Sequence, residues 1–393
     1  MTASSDFFGQ RNSQAVLKHG VLTRYAHYFA GRAGSATHGR VAFIDGYAGE
    51  GRYEDGNPGS PLLLASQAGQ ARLLGRDVKL AFVEQDDARR GRLSQSLIEN
   101  QVVPDQLVGG AFQNVIDDLL TRYNDRAVLL FVDPFGLAVD RVTLETVLQR
   151  SSSNRPIDVL YHFSLLTVAR MGRAGILDSR IGESNARQLD AALGSIDWRR
   201  QFELAVGSGA PTNAAVSVAN QLGDSIKNSV GMQSTAVPVR QRPDLLPKYL
   251  LMLFSNDEKA HWGFADVASK AYEDWLHHCD SADFEANLER LESTGVQKLF
   301  GDEAPRLDDI GKELKIEANN YFPGHLANLL KQRLSIRPVD CIDDIYGTML
   351  GRARTTHIRS AIKKLHDSGQ IDDDGTGEFW MRCLSWTGSS LAG

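Results

Sequence analysis

Short apolar runs alternate with amphipathic stretches through the amino-terminal part of the chain. After a helix predicted over residues 12–32, four runs rich in β-branched and aromatic residues are predicted as strands: Val41–Asp45, Lys79–Glu84, Ala127–Asp133 and Ile157–Phe163. The stretches between them are predicted as helices: Ser60–Leu74, Asp87–Asn100, Val115–Tyr123 and Val142–Arg150. Because these strands lack apolar–polar alternation and are followed by helices, we expect an α/β fold with a parallel sheet covered on both faces.

The pattern changes after the fourth predicted strand. Residues 165–230 are rich in Ala, Ser, Gly and Asn, are helix-like, and predict a helical insertion into the sheet domain. Two further strands, Ala236–Arg240 and Tyr249–Phe254, are compatible with an antiparallel hairpin at the sheet edge. We therefore predict a sheet domain over residues 1–283, a charged helical linker over 284–313, and a second compact unit over 314–393.

Composition indicates a globular protein without membrane spans. The 393 residues are 42% apolar and 23% charged, and no apolar run approaches the roughly 18–20 residues of a transmembrane helix. Three isolated cysteines predict neither a disulfide framework nor a metal site, and they favour a reducing, cytoplasmic location. The net charge of −6 excludes a chain that binds nucleic acid by bulk positive charge, although a local basic patch is compatible with it.

The loop after the first strand is rich in glycine. Its glycines have the order G-x-x-G-x-G, the reverse of the dinucleotide fingerprint, and no Gly-Lys-Ser/Thr follows, which counts against NAD and against a P-loop nucleotide. A strand carboxylate followed by such a loop suits a cofactor without phosphate, of which S-adenosylmethionine is the leading candidate. A tight strand-to-helix turn is the simpler alternative. The candidate cofactor residues in this loop are Asp45, Gly46, Tyr47, Ala48, Gly49 and Gly51.

Two later positions fit a nucleoside at the same sheet edge. Glu84 ends the second apolar run, where a carboxylate can accept both ribose hydroxyls, whereas Asp86 and Asp87 are predicted to cap the next helix. Ala111 and Phe112 lie where a further strand, between Glu84 and Ala127, would deliver its loop, and there they can flank an adenine ring. A core phenylalanine after a turn is an equally good interpretation of Phe112.

The predicted strand Ala127–Asp133 leads into Asp133-Pro134-Phe135-Gly136, and the candidate catalytic residues are Asp133, Pro134 and Phe135. Proline fixes φ and cannot continue a central strand, so a rigid loop is expected at the ligand-binding edge. Asp133 and the Pro134 carbonyl can accept hydrogen bonds from an amino group, and Phe135 can stack on a planar acceptor. The alternative is that Asp133 caps a turn and Phe135 packs inside.

Asp45–Tyr53, Phe82–Asp86 and Phe131–Gly136 together resemble the motifs of class I S-adenosylmethionine-dependent methyltransferases, closest to the amino-methyltransferases with an Asp-Pro-Pro-Tyr signature. With Lys18-His19 and Gly59-Ser60-Pro61, the pattern over residues 12–260 resembles the three-Cys-motif partner family (TcmP). The resemblance implies a Rossmann-like methyltransferase fold, S-adenosylmethionine held by the glycine-loop residues and Glu84, and a functional link to a separate three-Cys-motif protein.

The carboxyl-terminal unit has the order helix, helix, helix, hairpin, which predicts a winged-helix-like domain. Its third predicted helix, Arg354–Asp367, lies in a locally basic segment, as expected of a helix that contacts phosphates, whereas Asp372-Asp373-Asp374 at the hairpin tip would repel them. Protein docking and simple solvation are the alternatives. The candidate nucleic-acid-binding residues are Arg352, Arg354, Arg359, Lys363 and Lys364.

Two functions from different classes follow from these features. The first is a methyltransferase that transfers the methyl group of S-adenosylmethionine to an amino group, with a DNA or RNA base as the expected acceptor. The second is a catalytically silent scaffold that works with a three-Cys-motif protein, because Phe135 and Gly136 replace the second proline and the aromatic residue of the signature.

Overall fold

A computed structural model describes residues 13–134, 136–137, 139–177, 179–208, 211–294 and 309–388. The chain divides into two compact units, one formed by Val21–Ala260 and the other by the described residues on either side of it. The domain boundaries predicted from composition, at 283 and 313, stay predictions. Among the described helices, none is long and apolar enough to cross a membrane.

A seven-stranded sheet forms the centre of the Val21–Ala260 unit. Its strands are β1 (Arg40–Asp45), β2 (Asp77–Glu84), β3 (Gln106–Gly109), β4 (Ala127–Val132), β5 (Ile157–Ser164), β6 (Gln233–Val239) and β7 (Tyr249–Ser255). Their order is β3-β2-β1-β4-β5-β7-β6. The first five are parallel, whereas β7 runs antiparallel to both neighbours. This is a Rossmann-like sheet whose order reverses between β1 and β4, as the methyltransferase resemblance predicts.

Helices connect the strands at the positions that hydrophobic periodicity predicts. They are α1 (Ser13–Arg32), α2 (Ser60–Leu73), α3 (Asp87–Glu99), α4 (Phe112–Arg122) and α5 (Arg141–Gln149). Four more lie where the helical insertion is predicted: α6 (Leu165–Gly175), α7 (Arg180–Leu193), α8 (Trp198–Ser208) and α9 (Pro211–Val230). The insertion has a clear packing role, because its apolar residues join those of one sheet face in a single hydrophobic core.

The two faces of the sheet differ in what they carry. Ile44, Val83 and Tyr161 lie on the face that packs against the insertion. On the other face, the register places Asp45 beside Phe131 and Phe82, and Phe131 beside Leu160. Side chains alternate along each strand, so Glu84, two residues after Phe82, lies on the same face as Asp45. By the same alternation, this second face also carries Asp133 and His162, two residues after Phe131 and Leu160. Several carboxylates therefore converge at one edge of the sheet.

A buried polar network lies on this second face near the amino-terminal end of β5. Asp158 is fully buried and accepts hydrogen bonds from Tyr25 Oη (2.6 Å), Ser255 Oγ (2.6 Å) and Arg32 Nη2 (2.5 Å). Burial raises the pKa of the Asp158 carboxyl, while Arg32 and the two hydroxyl donors oppose that rise. The network ties α1 to β5 and to the end of β7.

The other unit contains most of α10 (Glu258–Thr294), together with α11 (Ile310–Arg333), β8 (Ser335–Ile336), α12 (Ile342–Tyr346), α13 (Thr355–Asp367) and β9 (Leu384–Ser385). The three helices α11 to α13 follow the predicted order and enclose an apolar core around Trp262, Phe322 and Tyr346. The sequence predicts that Gln370-Ile371 pairs with Glu378–Leu384, and this pairing is wrong: β8 pairs with β9, Ile371 forms a single bridge with Trp386, and Phe379–Met381 is a 3-10 turn. A winged-helix assignment stays a prediction.

Candidate functional site

The loop after β1 is fixed by hydrogen bonds to the two neighbouring strands. Gly46 N–H donates to the Phe131 carbonyl of β4 (2.9 Å), and Ala48 N–H donates to the Val83 carbonyl of β2 (2.9 Å). Asp45 ends β1, is fully buried, and accepts from Tyr47 N–H through Oδ1 (3.0 Å). The loop is therefore held over the carboxyl edge of the sheet.

The three glycines of the loop have different reasons to be glycine. A Cβ on Gly46 would lie 2.7 Å from the Phe112 ring, so a side chain is excluded there. Gly51 has φ +82°, and its Cβ would lie 2.9 Å from Leu93, so this position serves packing. Gly49 also has a positive φ, of +62°, but nothing lies within 4 Å of its Cβ position. Of the three, only Gly49 has open space beside its backbone.

Glu84 connects the glycine loop to the start of α3. Its Oε2 accepts from Gly49 N–H (2.9 Å), and its Oε1 accepts from Asp86 N–H (2.9 Å). Asp86 in turn caps α3 by accepting from Arg89 N–H (2.8 Å), as predicted. A carboxylate offers about four lone-pair sites, so these two bonds leave each Glu84 oxygen able to accept another hydrogen bond.

A cavity of about 330 Å³ opens between the carboxyl ends of β1, β2 and β3. Four of the predicted cofactor residues line it: Gly46, Tyr47, Glu84 and Phe112. The Tyr47 and Phe112 rings lie 5.4 Å apart, and burial raises the pKa of the Tyr47 phenol. The volume lies at the small end of the range typical of ligand sites. Gly110, whose backbone the sequence also indicates as a flank of the adenine ring, lines it too. Four further lining residues were not predicted from the sequence: Val83, Gln85, Asp86 and Arg89.

The remaining predicted cofactor residues surround this cavity without lining it. Asp45, Ala48 and Gly49 hold the loop in place through the hydrogen bonds described above, and Gly51 packs behind it. Ala111 is the residue before α4 and has extended φ/ψ angles. These residues therefore help to shape the cavity and do not line it.

Two of the candidate catalytic residues, Asp133 and Pro134, lie one strand further along the same sheet edge. Asp133 follows β4 and is absent from the cavity lining, and Pro134 is buried. Phe135 falls outside the described residues. Asp133 Oδ1 lies 3.2 Å from Nδ1 of His162 on β5, and the His162 ring lies 4.1 Å from the Tyr249 ring of β7. His162 is not predicted from the sequence, because a lone histidine within an apolar strand has no distinguishing pattern.

Three of the five candidate nucleic-acid-binding residues make hydrogen bonds within their own unit. Arg352 Nη2 donates to both Glu317 carboxylate oxygens (2.7 Å each), and Arg354 Nη2 donates to Glu273 Oε2 (2.5 Å). Arg359 donates to the carbonyls of Gly375 and Gly377 and lies over the Phe379 ring. Lys363 and Lys364 are exposed on α13. The positive charge of this segment is therefore presented mainly by the two lysines.

No family model matches the sequence, and no curated protein matches it. Among solved structures, a proposed caffeoyl-CoA O-methyltransferase from Staphylococcus aureus is 13% identical with a TM-score of 0.28, over 55% of this chain and 75% of that one. The plantazolicin methyltransferase BamL, solved with SAH and a triazolic desmethylPZN analog, is 10% identical with a TM-score of 0.31, over 62% and 85%. TM-scores this low do not support an assignment of the fold. The fold is therefore described from the order of the strands in the sheet.

Proposed function

We propose that this chain is a methyltransferase that binds S-adenosylmethionine in the cavity between β1, β2 and β3. The observation that carries the proposal is the position of Glu84, a carboxylate at the end of β2 that lines the cavity and is held by two backbone N–H groups. A carboxylate in that place suits the two ribose hydroxyls of a nucleoside. The absence of a Gly-Lys-Ser/Thr motif from the sequence favours a cofactor without phosphate.

The lining residues fit the other parts of such a cofactor. Tyr47 and Phe112 provide apolar ring surface for an adenine. Gly49 lies beside the cavity without lining it, and the open space at its Cβ position is where we propose that the amino-acid end approaches the backbone. When bound, S-adenosylmethionine supplies a methyl group on a positively charged sulfur. The chain's own contribution is to hold that group and to place the acceptor against it.

Calorimetric titration with S-adenosylmethionine tests the cofactor assignment. Glu84→Gln keeps the shape of the side chain but replaces an acceptor by a donor, so we expect binding weaker by at least about tenfold, since a hydrogen bond to a charged group contributes about 1.5–3 kcal/mol. Glu54→Gln, at an exposed loop position, is the matched control and is expected to bind like the wild type. No heat from the wild-type protein would contradict the proposal.

For the acceptor, we propose an amino group of a nucleic-acid base, held at Asp133-Pro134. The support is the position of Asp133 at the sheet edge beside the cofactor loop, together with Lys363 and Lys364 on a unit with the predicted winged-helix order. Methyl transfer to DNA, RNA and protein, with radiolabelled S-adenosylmethionine, tests this choice. Labelling of protein alone would overturn it.

Nucleic-acid binding can be tested apart from methyl transfer. Replacing Lys363 and Lys364 by alanine is expected to reduce the slope of log K against log salt by up to about 1.8 for duplex DNA, if each lysine neutralises one phosphate. The double variant Lys312→Ala/Lys315→Ala changes two exposed lysines of α11 in the same unit and is the control. An unchanged slope in the first variant would contradict the assignment.

The second candidate function is a scaffold that binds S-adenosylmethionine, or only keeps its fold, and works with a three-Cys-motif protein. It is favoured by Phe135 and Gly136, which depart from the Asp-Pro-Pro-Tyr signature. Cofactor binding without transfer to any acceptor, together with capture of a three-Cys-motif protein, would support it over the enzyme.

A further inference from the structure

Asp133, His162 and Tyr249 form a polar group across three neighbouring strands at the carboxyl edge of the sheet. The register pairs Val132 with Tyr161, which brings the next residues, Asp133 and His162, side by side. His162 Nδ1 lies 3.2 Å from Asp133 Oδ1, and the Tyr249 ring lies against the imidazole with centroids 4.1 Å apart. The imidazole is therefore held on one side by a carboxylate and on another by a ring.

Partial exposure distinguishes this pair from a structural one. The side chains of His162 and Asp133 are 14% and 20% exposed, so both are reachable from solvent at the edge where open α/β sheets bind ligands. Asp158, on the same face of β5, is by contrast fully buried among three hydrogen-bond donors. The environment of Asp158 is the one typical of a carboxylate with a structural role in the core.

We propose that His162 is the base that takes the proton from the acceptor's nucleophilic group, and that Asp133 positions its imidazole. The proposal rests on the proposed methyltransferase function and refines the role of Asp133, which then orients the histidine and does not itself receive the acceptor proton. In this proposal the proton of the neutral imidazole sits on Nδ1, 3.2 Å from the Asp133 carboxylate, and Nε2 is the nitrogen that accepts a proton.

The step balances without any further reagent. The lone pair of the acceptor nitrogen attacks the methyl carbon, the carbon–sulfur bond breaks, and its electron pair remains on sulfur, which becomes a neutral thioether. The nitrogen loses one proton to His162 Nε2, and the resulting imidazolium is stabilised by the Asp133 carboxylate. Asp133, which follows β4, and Tyr249 of β7 are two titratable residues that contact His162.

The activity test compares His162→Gln with His27→Gln, which changes an exposed histidine of α1 in the same unit. The acceptors are tRNA, duplex DNA and lysozyme, with radiolabelled S-adenosylmethionine. We expect the wild-type rate to rise with pH through the histidine range, about pH 6–7, and then level off. His162→Gln is expected to lose this rise and to be slower by about 10²–10⁴-fold, whereas His27→Gln keeps both.

A second measurement does not depend on the acceptor. The imidazole NMR signals of ¹⁵N-histidine-labelled protein are followed against pH, and the signal of His162 is the one missing from His162→Gln. In Asp133→Asn, the titration midpoint of that signal is expected to move about one pH unit lower, because a carboxylate stabilises the protonated ring. Asp224→Asn, at an exposed position of α9, is expected to leave it in place.

The outcomes separate this inference from the proposed function. If wild-type protein binds no S-adenosylmethionine in calorimetry, the proposed function fails first. If it binds the cofactor and His162→Gln transfers methyl as fast as wild type with the same pH profile, the base assignment alone is overturned. An unchanged His162 midpoint in Asp133→Asn would also overturn it. Cofactor binding with no labelling of any of the three acceptors would count against both the base and the transfer reaction.

Discussion

Two carboxylates on the same face of the sheet have opposite environments. Asp158, near the start of β5, is fully buried and accepts hydrogen bonds from a tyrosine, an arginine and a serine. Asp133, after β4, is partly exposed and pairs with His162 at 3.2 Å. The residue type is the same, and the residues around it decide whether the carboxylate is fully buried or stays partly exposed.

The difference follows from where the chain supplies partners. At the amino-terminal end of β5, Tyr25 and Arg32 of α1 and Ser255 of β7 surround the carboxylate, which offsets the cost of burying a charge. At the carboxyl edge, the parallel strands end in loops, and polar groups there remain accessible. Loss of a partner should therefore cost stability at the first site and activity at the second.

The largest expected effect is that of Arg32→Ala. Removing the guanidinium leaves the Asp158 charge buried without its countercharge, and breaking such a pair costs about 3–5 kcal/mol in the free energy of unfolding. Urea denaturation measures the change. Arg40→Ala, which removes a surface pair with Asp125, is the control and is expected to cost no more than about 1 kcal/mol. Equal losses of unfolding free energy in the two variants would show that the Asp158 network stabilises the protein no more than a surface ion pair does.

An intermediate effect is expected for Tyr25→Phe. The substitution keeps the ring and removes the hydroxyl that donates to Asp158 at 2.6 Å, a hydrogen bond to a charged group that contributes about 1.5–3 kcal/mol. Tyr28→Phe removes a hydroxyl that donates to the Lys259 carbonyl, and we expect about 0.5–1.5 kcal/mol there. Denaturant midpoints of the two variants give the comparison, and a larger loss in Tyr28→Phe would contradict it.

The smallest stability effect is expected for Asp133→Asn. A partly exposed pair contributes about 0–1 kcal/mol, so urea denaturation of this variant should resemble that of wild type and of Asp224→Asn. Methyl transfer by the same variant is expected to fall, because the imidazole of His162 loses its orienting group. If Asp133→Asn lost as much stability as Tyr25→Phe, Asp133 would have a structural role like that of Asp158. The difference between the two carboxylates would then not hold.

Local pattern was sufficient to predict most of the sheet domain. β5 is predicted to begin at Ile157 and does so, and β7 is predicted to begin at Tyr249 and does so. Glu84 was singled out because a carboxylate directly ends an apolar run, and the structure places it in the cavity lining. These features depend on residues that are neighbours in the sequence, and hydrophobic periodicity and the ends of apolar runs are therefore enough to predict them.

Features that depend on distant partners were not accessible in this way. His162 is distinguished only by its contact with Asp133, which strand pairing creates. Arg352 and Arg354 contribute to a basic segment in the sequence, but their carboxylate partners lie 35 and 81 residues away along the chain. A count of charged residues within a short segment of sequence does not include these distant carboxylates. The sequence therefore overestimates the free positive charge of the basic segment over residues 351–366.

The hydrogen bond from Gly49 to Glu84 has a consequence for the thermodynamics of ligand entry. Because the Glu84 carboxylate of β2 accepts a hydrogen bond from Gly49 N–H, the loop after β1 is fixed by a contact within the protein, which favours a preorganised site. A small nucleoside ligand should then enter with only a modest negative heat-capacity change, set by the apolar surface it covers and not by coupled folding. Affinity would be limited by contacts inside the cavity and not by the entropy of building it.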